Sequence, residues 1–353
     1  MKTNMTRKTF ALGLFLMLTL GLQAAGSWKV TKNKEYNQSF NVGQGDRLSV
    51  DNRYGSVTVV PWEKSEVAFR VVVTSKAGNE RDAQANLDRI QIALNKAGHL
   101  VSGITTLGNS SWKTGQSSYS IDYYVNIPAD LAMAVSQKYG DINLPSPLDG
   151  DCALNVKYGK LNASDFSKPL SVEAAYSTLN LGNAPKLALE ISYCDKSQLG
   201  NIGELNIESK YSGLKVGQVD RLALEDKYGK TQVGSAKTVA VESKYSDFSL
   251  GELSDKLTAE TKYSHLSVGR LDAGFSTVNV EAEYSDYQFS VPEEAAFKVE
   301  ALNMNYGKAN VDLKNVQSST KNKVNHYFEV NGGQGGLIHF DNEGYSNLQI
   351  KGL

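Results

Sequence analysis

Leu222-Ala-Leu-Glu-Asp-Lys-Tyr228-Gly-Lys-Thr-Gln-Val-Gly234 is followed 17 residues on by Val239-Ala-Val-Glu-Ser-Lys-Tyr245-Ser-Asp-Phe-Ser-Leu-Gly251. The two segments are the same phrase. It recurs at Tyr139, Tyr158, Tyr176, Tyr193, Tyr211 and Tyr263, with gaps of 17 to 19 residues. Tyr284 and Tyr306 continue it at gaps of 21 and 22, and Tyr54 and Tyr345 carry part of the pattern. A short fixed period marks a chain whose units bury their apolar faces by stacking on one another.

Counting from each tyrosine as position 0, apolar residues stand at −6 and −4, as in Leu205/Ile207 and Val239/Val241. Glutamate stands at −3 from Glu173 to Glu281, and lysine at −1 in Lys138, Lys157, Lys210, Lys227, Lys244 and Lys262. Alternation with period two predicts a strand with one buried face. By parity the tyrosine shares the buried side, so the expectation is an inward ring with small −2 residues such as Ser243 beside it. The chain should bend at the following Gly or Ser. Past that bend the apolar positions move to +3 and +5 (Phe248/Leu250, Leu266/Val268), with Gly251 or Gly269 at a second corner and Leu253 or Leu271 at +8.

The fold expected is all-β: a right-handed parallel β-solenoid with about 17–18 residues per turn. Ten regular rungs imply a rod of roughly 50 Å. A leucine-rich repeat lacks its leucine frame here, and a hexapeptide helix would place apolar residues every six positions. The irregular N-terminal part should hold a short helix from Asn79, with Asn79 as N-cap. The organisation read from the chain is a signal peptide at 1–25, an irregular region or cap at 26–130, the regular repeat at 131–313 and a C-terminal cap at 314–353.

Lys2, Arg7 and Lys8 precede an apolar run from Phe10 to Leu22, and Ala24 and Ala25 offer a cleavage site. That run is too short to span a bilayer and reads as an export signal. The formal charge is −1, and about −4 without those three cations. This gives no basic footprint for nucleic acid. The localisation expected is the periplasm or cell surface of a Gram-negative bacterium. Two cysteines, Cys152 and Cys194, are too few for a disulfide framework and are expected as free thiols. No cysteine stands at the cleavage region for a lipid anchor.

Leu48 to Val59 with Pro61-Trp62, Tyr124-Val-Asn-Ile-Pro128 and the Lys138–Leu144 run give the chain a resemblance to the DUF4097-like "putative adhesin" family. That family is related to the head GIN domain autotransporter-adhesin proteins of Bacteroidetes. The resemblance implies an exported parallel β-solenoid and brings no catalytic residues.

No constellation for chemistry emerges from the pattern. Asp141, Asp195, Asp247 and Asp286 sit at +2 but not on successive turns, whereas a general acid/base pair needs neighbouring carboxylates. Asp226 is expected inward as a satisfied polar group. The four histidines lack ligand spacing, the glycine run at 332–336 lacks the P-loop lysine, and no cofactor is expected. The Glu and Lys columns read as solvated faces, and Asn143, Asn162 and Asn180 begin a polar outward column at +4. The repeat breaks after Tyr193, where a one-residue bulge restores the phase. Asp195 and Lys196 at that break, and Trp112 in the Gly/Ser-rich 106–118 loop, are the candidate ligand contacts. The functions weighed are a non-catalytic binding or scaffold module for a glycan or envelope protein, a polysaccharide-active β-helix enzyme, and a periplasmic accessory of envelope-stress signalling.

Overall fold

The computed structural model describes residues 29–108 and 117–353; the expected signal peptide and Trp112 lie outside them. The described chain is all-β with a single helix, Glu80–Asp88. Asn79 caps that helix, its side chain accepting the Asp82 N–H at 2.9 Å. No helix among the described residues is long and apolar enough to cross a membrane.

Successive repeats pair in parallel and in register. Gly213–Lys227 lies on Lys230–Lys244, which lies on Asp247–Lys262. Equivalent residues therefore stack. Leu170, Leu187, Leu205, Leu222, Val239, Leu257 and Val278 form one continuous buried column. Burying each such side chain stabilises by about 1.5–3 kcal/mol, so the long apolar columns carry the fold. Cys152 stands in this column between Met133 and Leu170, buried and free.

Besides the +1 corner, which is buried wherever it is Ser or Cys, the inward positions are +3, +5, +8, −6, −4 and −2. In Lys230–Lys244 these are Thr231, Val233, Ala236, Val239, Val241 and Ser243. The tyrosine at 0 is not among them. From Tyr139 to Tyr284 the ladder rings are 42–51% exposed. The expectation of an inward tyrosine is therefore overturned, and the small −2 residues line the core themselves. Period-two parity holds only while the backbone stays extended. Ten of these tyrosines, from Tyr54 to Tyr284, have φ between 51° and 61°, in the left-handed region. A left-handed residue reverses the direction of its side chain relative to the strand before it.

The first repeat, Arg47–Trp62, pairs in parallel with Ala132–Leu144 and with Ser117–Pro128. Antiparallel strands Val30–Asn41, Glu66–Ala77 and Ser117–Pro128 extend that end. The other end is not in chain order. Gly336–Asn342 pairs with Thr277–Glu283 on one side and Phe297–Leu302 on the other. Asn347–Gly352 likewise lies between Asp286–Val291 and Lys308–Asp312. The last rung of the sequence is thus an interior rung in space. Within the expected C-terminal cap only Val316–Lys321 and Asn325–Val330 lie outermost, against Phe297–Leu302.

Candidate functional site

The corner that presents each tyrosine is built from its neighbours. At Gly140 and Gly159 a Cβ would collide with the carbonyl of the preceding rung, Gly55 and Gly140 respectively, so these corners admit only glycine. Elsewhere serine fills the place as a structural part. Ser264 Oγ accepts the Ser246 N–H at 3.3 Å and donates to the Lys262 carbonyl at 2.9 Å. Ser285 Oγ does the same for Ser264 N–H and the Glu283 carbonyl, at 3.1 and 3.0 Å. Cys194 replaces serine in this column, its Sγ 3.4 Å from the Ser192 carbonyl. These bonds satisfy backbone groups that a tight corner would otherwise bury unpaired.

Held by these corners, the rings form a ladder. From Tyr54 through Tyr139 to Tyr284, consecutive centroids lie 4.7–5.1 Å apart with planes within 13°. Tyr345 stacks on Tyr284 at 5.6 Å, and Tyr306 on Tyr345 at 4.8 Å. Twelve rings make one stack, roughly 55 Å long at the strand spacing. Tyr119 meets Tyr54 edge-on at 5.2 Å and ends it. Burial pushes the Tyr119 hydroxyl up to about 12.

A left-handed non-glycine residue costs about 1 kcal/mol or more. A stacked aromatic pair returns about 0.5–1.5 kcal/mol. The two effects are of the same size, so ring stacking offsets the strain without adding much stability. Because each face is covered by the next ring, the ladder shows solvent its ring edges. It is a ribbed apolar strip, and no ring face inside it is free for a sugar to lie on. Among the described residues, the hydroxyls from Tyr139 to Tyr284 make no hydrogen bond to protein and remain available.

Charges flank the strip. Lys138 and Lys262 lie over the Tyr139 and Tyr263 rings at 5.1 and 5.7 Å. Lys157 pairs with Glu173 at 2.9 Å and Lys262 with Glu283 at 2.7 Å. Such exposed pairs add little stability. Beyond the lysines, Glu173, Glu190, Glu208, Glu225, Glu242, Glu260 and Glu281 stack in register and continue to Asp341. Those from Glu173 to Glu260 edge a shallow groove of about 660 Å³ floored by Ala188, Ala223 and Ala240.

Lys196 is the extra residue after Tyr193, with φ 58°, and Ser197 pairs with Leu214. Asp195 Oδ1 accepts the Lys196 N–H at 2.9 Å. Both residues are exposed at the corner beside Tyr193. Asp141 Oδ1 accepts the Lys160 N–H of the next rung, and Asp286 accepts from Asn347. These carboxylates tie rungs together. Asn180, Asn162 and Asn143 bond side chain to side chain at 2.9 and 3.1 Å. Asp226 is 2% exposed. Its Oδ2 accepts from Thr231 at 3.5 Å, while its Oδ1 and Ser209 Oγ lack a partner. Burial pushes the Asp226 carboxyl up to about 6. No group of three or more His, Cys, Asp or Glu residues suited to a metal occurs among the described residues.

No protein-family model matches this sequence, and no curated protein matches it. Several solved structures do. A "putative adhesin" from Parabacteroides distasonis is 11% identical with a TM-score of 0.42, covering 73% of this chain and 97% of its own. A "putative adhesin" from Parabacteroides merdae is 9% identical with a TM-score of 0.41, covering 72% and 96%. A "putative lipid binding protein" from P. distasonis is 11% identical with a TM-score of 0.34, covering 72% and 96%. The functional reading therefore rests on the geometry of this chain.

Proposed function

We propose that the chain is a right-handed parallel β-solenoid acting as an exported, non-catalytic, adhesin-like binding module of the bacterial envelope, in the periplasm or at the cell surface. The ligand proposed is an extended glycan lying along the tyrosine ladder. The observation that carries this is the unbroken row of half-exposed rings whose hydroxyls, from Tyr139 to Tyr284, make no hydrogen bond among the described residues. A rod of stacked strands holds them rigidly, so a long ligand is met by a preorganised surface. Ring edges supply apolar contact, and the hydroxyls donate and accept at each rung. A repeating polymer can use every rung, and weak contacts multiply along it. Asp195 and Lys196 would add polar contacts beside Tyr193, and Trp112 is the third proposed contact. In this reading 131–313 together with the interposed rung 336–352 is the regular binding rod, with 26–130 and the strands Val316–Lys321 and Asn325–Val330 flanking it.

The test is a glycan array probed with the mature chain and with a variant carrying Ser at Tyr176, Tyr193, Tyr211 and Tyr228. Binding without turnover that falls at least tenfold in the variant supports the proposal. Equal binding by both proteins overturns it, and release of shortened sugars would point instead to an enzyme.

A further inference from the structure

A phenol is a one-electron reductant as well as a hydrogen-bonding group, and here like phenols touch like phenols along the whole rod. We infer that the ladder is a site of oxidative modification, in which neighbouring tyrosines are joined as dityrosine by one-electron oxidants of the peroxidase class. The inference stands apart from the glycan reading, because it needs only the rings and an oxidant.

Three observations carry it. First, from Tyr54 to Tyr284 each ring has another at 4.7–5.1 Å, and the inner ones have one on each side. The partner for coupling is therefore always in place within the same molecule. Second, the rings are about half exposed, so an oxidant can reach them and their side chains can pivot. Third, the hydroxyls from Tyr139 to Tyr284 have no acceptor among the described residues. The proton released on oxidation passes directly to water.

Each of two phenols gives one electron to the ferryl haem of a peroxidase and its hydroxyl proton to water. The two phenoxyl radicals join through carbons ortho to oxygen. The two displaced ring hydrogens move to the oxygens and restore both phenols. The pair has then lost two electrons and two protons. One hydrogen peroxide takes them up and becomes two waters. Exchange of the unpaired electron between chemically alike, contacting rings has little net driving force in either direction. Radicals formed on separate rungs can therefore become neighbours before they couple. Each link ties one rung covalently to the next.

The test is treatment of the purified mature chain with a peroxidase and hydrogen peroxide, followed by dityrosine fluorescence and peptide mass mapping. The expected products are monomeric, with links that cost two hydrogens each and join rung neighbours such as Tyr211 and Tyr228. A six-site variant, with Phe at Tyr54, Tyr158, Tyr193, Tyr228, Tyr263 and Tyr345, keeps every ring and removes every adjacent pair of phenols within the stack. Its intramolecular dityrosine should fall about tenfold, with circular dichroism confirming the fold. A yield within twofold of the parent overturns the inference. So does a parent map in which links fall as often on Tyr36 and Tyr327, or only between molecules; that map decides the matter even if the variant does not fold.

Discussion

Replacing Asp226 with asparagine should stabilise the protein in alkaline solution and do little in mild acid. Asp226 is 2% exposed in the −2 column between Ser209 and Ser243. Burial is the largest influence on its carboxyl and raises it from 3.8 to about 6; hydrogen bonds from Thr231 and the Lys227 backbone oppose the rise. A raised carboxyl means that the folded chain holds this proton at pH values where the unfolded chain has lost it. Stability is therefore undiminished below about pH 4. It declines as pH rises towards about 6 and is then level. The difference of about two pH units corresponds to about 3 kcal/mol. Asparagine has the same shape and no charge, and its amide can donate to the unpartnered Ser209 Oγ. Urea unfolding of parent and variant at pH 8 and pH 4 measures the effect, with hydrogen exchange of the Tyr228 rung as a local readout. The variant should gain up to about 3 kcal/mol at pH 8 and differ little at pH 4. An equal gain at both values, or a loss at pH 8, refutes the assignment of the penalty to the carboxylate.

Other consequences are checked more simply. Gly140→Ala places a Cβ against the Gly55 carbonyl and should cost about 3 kcal/mol or more in urea unfolding, because backbone must shift. Thr261→Val removes the partner 2.7 Å from the buried Tyr287 hydroxyl and should cost about 1–3 kcal/mol by the same assay. Cys152 and Cys194 are buried, and burial raises the Cys152 thiol to about 12, so neither should react with a thiol reagent at pH 8 until the chain is unfolded. Deleting 336–353 removes the rung between the Tyr284 and Tyr306 rungs, and hydrogen exchange should show protection lost from about 277 onward.

The repeat itself announced most of the architecture. Its period set the rung length, the alternation of Leu205/Ile207 and Leu222/Leu224 marked the buried face, and Asn79 marked the helix start. The extra residue after Tyr193 was visible as a break in phase. The direction of the tyrosine was not legible in the same way. Parity counts extended residues, and no side-chain pattern announces a tyrosine in the left-handed region, where glycine or asparagine is expected. The hint lay in the next residue. A column that alternates only Gly, Ser and a single Cys, as at Gly159, Ser177, Cys194 and Ser212, describes an inward site too tight for anything larger. If +1 is inward and −2 is inward, the ring between them must point out.

By itself the sequence determined the local rule: a strand-forming phrase of fixed length that can bury its apolar face only against copies of itself. Tertiary structure decided two things that no local rule contains. It turned each ring outward, because the backbone at the corner must bend within one residue and the inside of the bend has room only for Gly, Ser or Cys. It also placed the last rung between two earlier ones, because Gly336–Asn342 completes the edges of both Thr277–Glu283 and Phe297–Leu302. Edge pairing depends on which strand ends lie open in space, and chain order does not record that. The ladder of twelve tyrosines exists only as the sum of those two decisions.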